Sequence, residues 1–222
     1  EFSNILHEKD GILTGLVGGE MMFSNSKGEM LKRLQLDYID LLYVHQPFGD
    51  FVGAWKDMEK AVKMGKVRAL GISNFDANDE VWNTIMDSAT IKPAVLQMEC
   101  HPYAQRLEMR KKAAAAGIQV ECWFPLGGAM SNGALLKDPV IKKIAEAHGK
   151  SPAQIILRWH IQEGFSVIPG ATNPDYIKEN IQIFDFALSD EEMQQMRSLN
   201  KEQRFFNMPE EGVRRMVREN RL

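Results

Sequence analysis

His45-Gln46-Pro47 puts an imidazole, an amide and a strand-stopping proline at the end of the run Tyr38-Ile39-Asp40-Leu41-Leu42-Tyr43-Val44. Histidine titrates near neutrality and is a common general acid or base. In parallel α/β barrels the chemistry lies at the C-terminal ends of the strands, so this placement suits a catalytic role. A histidine hydrogen-bonded at a strand end for structural reasons fits equally, and position alone leaves both open. Asp50, five residues on, allows a further reading: a His–Asp pair in a barrel enzyme of another kind. The remaining polar candidates are Ser73-Asn74, Gln97, Trp123 with the turn Pro125-Leu126-Gly127-Gly128, and Glu179-Asn180. Taken singly they are bland: Ser73-Asn74 suits a helix cap, Gln97 a satisfied core amide, and Trp123 a core aromatic. Gly18-Gly19 is a weak phosphate-loop candidate, because no G-x-G-x-x-G follows it.

The elements that must hold these residues alternate. Tyr38 to Val44 is apolar on both parities apart from Asp40, the pattern of a parallel strand covered on two faces. Val52, Trp55, Met58 and Val62 recur at helical spacing, with Gly65 as the glycine after the helix. Strands follow at 67–72, 94–99, 118–123 and 166–168, and helices at about 78–89 and 107–116. Asp138-Pro139, Ser151-Pro152-Ala153-Gln154, Asn173-Pro174 and Ser189-Asp190-Glu191-Glu192 each start a helix, and Gly149 and Gly164 end two of them. Ahead of His45, residues 12–19 suggest a short strand closed by a glycine turn. Residues 27–36 suggest a helix with Met30, Leu31 and Leu34 on one face. Strand–helix alternation implies a parallel sheet wrapped by helices.

Bulk properties narrow the function classes. The 222 residues are 44% hydrophobic and 26% charged with a net charge of −3, enough for one domain with a sizeable core. That charge gives no electrostatic footprint for nucleic acid. No run approaches the roughly 18 apolar residues of a membrane span, and the start has no signal-peptide layout. Cys100 and Cys122 fall in strand segments without metal-ligand spacing, so no metal is expected and a reducing cytoplasm suits them. His148 sits in a helix's last turn, where its charge suits the dipole, and His7 and His160 are expected at the surface.

The phrases LDYIDLLYVHQP, GKVRALGISNF, QMECHPY, WFPLG, SPAQIILRW and VIPGATNPDYIKENIQIFDFALSDEEM occur in order at these strand ends and helices. From about Leu31 to Leu199 the chain resembles the aldo-keto reductase family. That resemblance implies a (β/α)8 TIM-type barrel and NAD(P)H-dependent reduction of small aldehydes or ketones. His45 would orient the substrate carbonyl, and Ser73, Asn74 and Gln97 would hold the nicotinamide carboxamide, which needs fixed donors and acceptors. Trp123 would stack on the nicotinamide ring, Pro125, Leu126 and Gly127 would pass close to the pyrophosphate, and Glu179 and Asn180 would meet the adenine end. His101 matches a structural position near the site.

The sequence departs from that family in three ways. A closed barrel has eight parallel strands and typically ~250 residues. Five are recognisable, and residues 1–37 cannot hold three more units of about 30 residues each. The expectation is a single domain over residues 1–222, incomplete at its N-terminus. Residues 1–30 would be an unassigned or remnant segment, and residues 201–222 a tail that lines the pocket or closes the fold as an amphipathic helix. The family's general acid, a tyrosine lowered by a lysine paired with an aspartate, comes from the region ahead of His45. No tyrosine precedes Tyr38. Finally, Gly170 and Tyr176 stand where NADPH-preferring relatives place basic residues, with Lys178 nearby. Lost charge-assisted contacts to a phosphate cost about 1.5–3 kcal/mol each, so NADPH and NADH both stay open.

Two functions compete. One is a reductase impaired for want of the tyrosine segment. The other is an inactive, shortened relative that survives as a nucleotide-binding or interaction protein, self-associating through exposed strand edges and apolar faces.

Overall fold

The apolar runs form strands and the capped periodic stretches form helices. The computed structural model of the protein describes residues 6–9, 12–15, 31 and 35–218. Strands β1 (Leu6–Lys9) and β2 (Ile12–Gly15) pair antiparallel. The second sheet holds β3 (Ile39–Val44), β4 (Val67–Ser73), β5 (Val95–Glu99), β6 (Gln119–Trp123) and β7 (Ser166–Val167), in the order β3-β4-β5-β6-β7. The helices are α1 (Phe51–Lys63), α2 (Asp79–Ser88), α3 (Leu107–Ala115), α4 (Ala134–Lys137), α5 (Pro139–His148), α6 (Pro152–Gln162), α7 (Pro174–Ile181), α8 (Asp190–Ser198) and α9 (Glu210–Arg218). The helix expected at 27–36 and Gly18-Gly19 lie outside the described residues, apart from Leu31, Gln35 and Leu36.

The chain divides into two compact units, Glu1–Gln97 with Met208–Leu222, and Met98–Asn207. In the first, β3 runs parallel to β4 with Tyr43 opposite Gly71. A Cβ on Gly71 would sit 2.4 Å from the Tyr43 ring, so only glycine lets that buried phenol lie across the next strand. Trp55 and Met58 of α1 are fully buried, as are Leu70, Ile72 and Ile85. Asp50 caps α1 by accepting from the Gly53 N–H at 2.7 Å. Glu59, inward on the same helix, accepts from the Thr90 and Ile91 amides at 2.6 and 2.9 Å, and Trp55 Nε1 donates to Ile91 O. These bonds pin the loop after α2 to α1.

In the second unit β6 runs parallel to β7, and the backbone beyond β5 lies beside β6, with Cys100 N–H donating to Trp123 O at 3.3 Å. A core of Leu135, Ile141, Ile144, Ile155, Trp159, Met193 and Met196 joins α4, α5, α6 and α8. The expected caps are made. Asp138 accepts from Val140 and Ile141, and Ser151–Gln154 and Ser189–Glu192 form reciprocal capping boxes.

His160 corrects an expectation: it is not a surface residue but 0% exposed. Its Nδ1 lies 2.8 Å from Ile156 O and its Nε2 3.1 Å from Cys100 O, so the ring ties α6 to the strand end. Neighbouring Trp159 is also buried. The helix is covered on two sides, which a polar residue in an amphipathic pattern does not disclose. His148 sits in the last turn of α5, as expected, and its Nε2 meets the Glu192 carboxylate at 2.9 Å. The side chain of His7 lies outside the described residues.

Candidate functional site

Three neighbouring parallel strands bring the polar candidates together at the level where β4 ends. His45 follows β3, Ser73 closes β4 with Asn74 next, and Gln97 stands opposite Ser73 in β5. Asn74 has φ +64, a left-handed backbone that asparagine tolerates better than most residues. That turn brings its N–H to Gln97 O at 3.0 Å and its side-chain amide to both His45 O and Ser73 Oγ, each at 3.1 Å. Ser73 Oγ donates to Gln97 Oε1 at 3.4 Å. Four residues 52 positions apart in sequence thus form one hydrogen-bonded row of amides and a hydroxyl. Asp50 Oδ1 accepts from the Gly53 N–H as the cap of α1.

The second unit carries an aromatic surface at the end of β6. Trp123 meets Phe124 edge-on at 5.0 Å and Phe206 at 5.4 Å, and none of the three is fully buried. The turn that follows is tight. Gly127 N–H donates to Phe124 O at 2.8 Å with φ +79 at Gly127, and a Cβ there would press on Ser131 at 2.7 Å. Pro125 and Gly127 are buried, while Leu126 packs on the helical core. Glu179 and Asn180 are half-buried on α7. Glu179 hydrogen-bonds Ser151 Oγ, and its backbone O accepts from Gln154, which fastens α7 to the start of α6. Tyr176 and Lys178 are exposed on that helix.

Two further clusters lie in this unit. Cys100, Cys122 and His160 bring ligand-type atoms within 4.8 Å of one another, all buried. The bond from Cys122 and contact with His160 pull the Cys100 thiol below its ordinary range, while burial pushes Cys122 up. The two His160 nitrogens face the Ile156 and Cys100 carbonyl oxygens. The second is Glu99, whose carboxylate is 0% exposed. It meets Arg204 Nε at 2.7 Å, the Phe205 and Phe206 amides at 2.6 and 3.1 Å, and His101 Nε2 at 3.2 Å. Burial alone would raise its pKa. The bonds from His101 and Arg204, then Phe206, and the Arg204 charge reverse this and hold it at about 2.

A profile of the Aldo/keto reductase family matches residues 22–201. Morphine 6-dehydrogenase of Pseudomonas putida is 44% identical over 186 residues, 78% of this chain and 62% of that protein. Glyoxal reductase of Bacillus subtilis (strain 168) is 40% identical over 210 residues, 94% of this chain and 71% of that one. The chain belongs to the aldo/keto reductase family. It spans about 62% of the length of the first of these relatives. Among solved structures, an aldo/keto reductase from Brucella melitensis superposes with TM-score 0.76 at 35% identity, covering 85% of this chain and 73% of that one. A point mutant of Gox0644, solved in complex with NADPH, gives TM-score 0.76 at 33% identity, covering 90% and 72%. The fold is therefore of the (β/α)8-barrel type, with a parallel sheet of five strands among the described residues.

Tyr103 has an aspartate and a lysine beside it, the residue types of a tyrosine general acid, in an arrangement that does not lower its pKa. Its phenol donates to Asp138 at 2.6 Å, and Lys201 Nζ lies over the ring face, 3.5 Å from its centroid. Burial and then the Asp138 bond push its pKa to about 12, the opposite of what a general acid at neutral pH requires. Sequence reasoning missed Glu99 as a site residue. Its signal was a carboxylate inside an apolar strand, which must find buried partners. Phe206 falls in the tail, residues 201–222, expected to line the pocket or close the fold.

Proposed function

We propose that this chain carries the nicotinamide-binding part of an NAD(P)H-dependent reductase of small aldehydes or ketones. The observation that carries the reading is the row His45–Asn74–Ser73–Gln97 across three adjoining strands. It presents the mixture of donors and acceptors a carboxamide needs, already fixed in place. In the first unit Ser73, Asn74 and Gln97 hold the carboxamide, and His45 donates to the carbonyl oxygen. In the second, Trp123 is the plate for the ring, the Pro125-Leu126-Gly127 turn faces the pyrophosphate, and Glu179 and Asn180 face the adenine end. NAD(P)H when bound supplies the hydride. Fixing the polar partners beforehand lowers the cost of ordering them during reaction.

Turnover in this reading needs a general acid other than Tyr103, whose pKa is pushed up to about 12. Gly170 and the exposed Tyr176 supply no charge for a 2′-phosphate, with Lys178 near them, so the cofactor is NADPH or NADH. The matched stretch, residues 22–201, is read as one barrel-type domain, and the free thiols Cys100 and Cys122 suit a reducing cytoplasm. No helix of the described residues is long and apolar enough to cross a membrane.

A second reading has its own observation. Ile177, Ile181 and Phe184 are 52%, 70% and 64% exposed on and beside α7, an apolar patch that favours self-association of a nucleotide-binding relative without turnover. Oxidation of NADPH and NADH against a panel of aldehydes and ketones, with nucleotide titration by fluorescence and mass by light scattering, separates the two. Turnover above nucleotide decay supports the reductase, and nucleotide binding by an inactive oligomer supports the relic. A monomer that neither binds nor reacts refutes both.

A further inference from the structure

Phe205 and Phe206 are consecutive at a bend, and their rings face different partners. Phe205 turns inward, its ring 4.6 Å from His101 and 6.2 Å from Tyr103, and packs on the helical core. Phe206 turns the other way and meets Trp123 and Phe124 edge-on at 5.4 and 6.4 Å. Nothing in the local sequence enforces this division. The stretch contains neither helix nor strand, and what holds it is Glu99, 106 residues away in sequence. One oxygen of Glu99 accepts both phenylalanine amides and the other accepts from Arg204. Because an ionised carboxylate only accepts, His101 donates to it from Nε2. A fully buried carboxylate with four donors is costly to assemble and rigid once assembled.

We propose that Glu99 is a positioning residue for substrate selectivity. By gripping residues 204–206 it fixes the Phe206 ring against Trp123, and that ring is the wall on which the organic group of an aromatic aldehyde packs. The inference rests on the reductase reading above and adds the substrate class. Phe206 and Trp123 are both half-buried, so each keeps a face for a ligand. Aromatic rings meeting edge-to-face attract each other beyond what buried area alone gives, which favours an aryl over a short alkyl group.

The test compares purified wild-type protein with Glu99→Gln, Phe206→Ala and the double variant, using benzaldehyde, propanal and NADPH. Glu99→Gln is expected to raise KM for benzaldehyde about tenfold. The KM for propanal and the affinity for NADPH should stay within about twofold. Phe206→Ala should do the same, and the double variant should be no worse than Phe206→Ala alone, because the clamp acts only through that ring. Unchanged benzaldehyde KM in Glu99→Gln, equal losses for both aldehydes, or effects that multiply in the double variant overturn the proposal. If Glu99→Gln fails to fold, Arg204→Met, at a side chain partly in solvent, loosens the same segment and is judged by the same criteria. A wild-type chain that turns over no aldehyde sinks the reductase reading by itself. Amide hydrogen exchange then judges the clamp. Phe205 and Phe206 should exchange at least about a hundredfold faster in Glu99→Gln than in wild type, and equal protection overturns the proposal.

Discussion

The cross-strand row of the first unit and the Glu99 clamp of the second solve the same problem, holding polar groups still, by different means. In the row each member sits where its own strand delivers it, and the bonds between members are ordinary neutral ones of 3.0–3.4 Å. The clamp gathers a strand residue and a distant irregular segment around one buried charge, with three bonds of 2.6–3.1 Å to residues 204–206. Secondary structure is enough to preorganise a row. Preorganising an irregular segment takes a charge, since only charge-assisted bonds offset the entropy of ordering it.

The largest expected effect breaks the clamp by pH. Glu99 has a folded pKa of about 2 against an ordinary 4.5, so its carboxylate stabilises the folded state. That stabilisation, about 3 kcal/mol, is present in full above about pH 5 and is lost as pH falls toward 2. Denaturant titrations between pH 7 and pH 3 should show it, and Glu99→Gln should flatten the slope. An equally steep slope in the variant would assign the acid sensitivity elsewhere.

Next comes the platform beneath the row. Gly71→Ala drives a methyl into the Tyr43 ring and should cost about 2 kcal/mol in denaturant midpoint. Unchanged stability would mean that β3 and β4 separate more easily than the register implies. Asn74→Ala removes the amide shared by His45 and Ser73. A roughly tenfold loss in nicotinamide nucleotide affinity is expected, with the fold intact by circular dichroism. Unaltered affinity would take the row out of the binding site. The smallest effect is at Asp50. Its loss as a cap in Asp50→Ala should cost about 1 kcal/mol of stability and leave nucleotide affinity alone. A drop in turnover without loss of stability would make it a partner of His45.

Much of the row was legible before any coordinates. His45, Ser73 and Asn74 follow or end apolar runs, and the alternation of strands with helices puts such ends on one rim; Gln97 lies within its strand, and the register with Ser73 brings it level with them. The hairpin of β1 and β2 was half legible: β2 falls in the stretch expected as a strand, and β1 has no comparable apolar run. His160 misled because a polar residue on a helix of amphipathic pattern looks exposed, and only packing on both sides shows that it is not. Tyr103 with Asp138 and Lys201 shows the reverse hazard. Their residue types suggest an acid catalyst, and the direction of one hydrogen bond decides that they are not.

By itself the sequence determined the capped helices, the order of the strands and the polar groups at their ends. These depend on residues within a few positions of each other or on strict periodicities. Tertiary structure alone decided that Glu99 would be buried and charged, that it would reach Arg204, Phe205 and Phe206, and that Phe206 would face Trp123. Those outcomes depend on which distant donors reach a carboxylate removed from water. An unpaired charge cannot stay there, so the partners the fold supplies determine what the residue does.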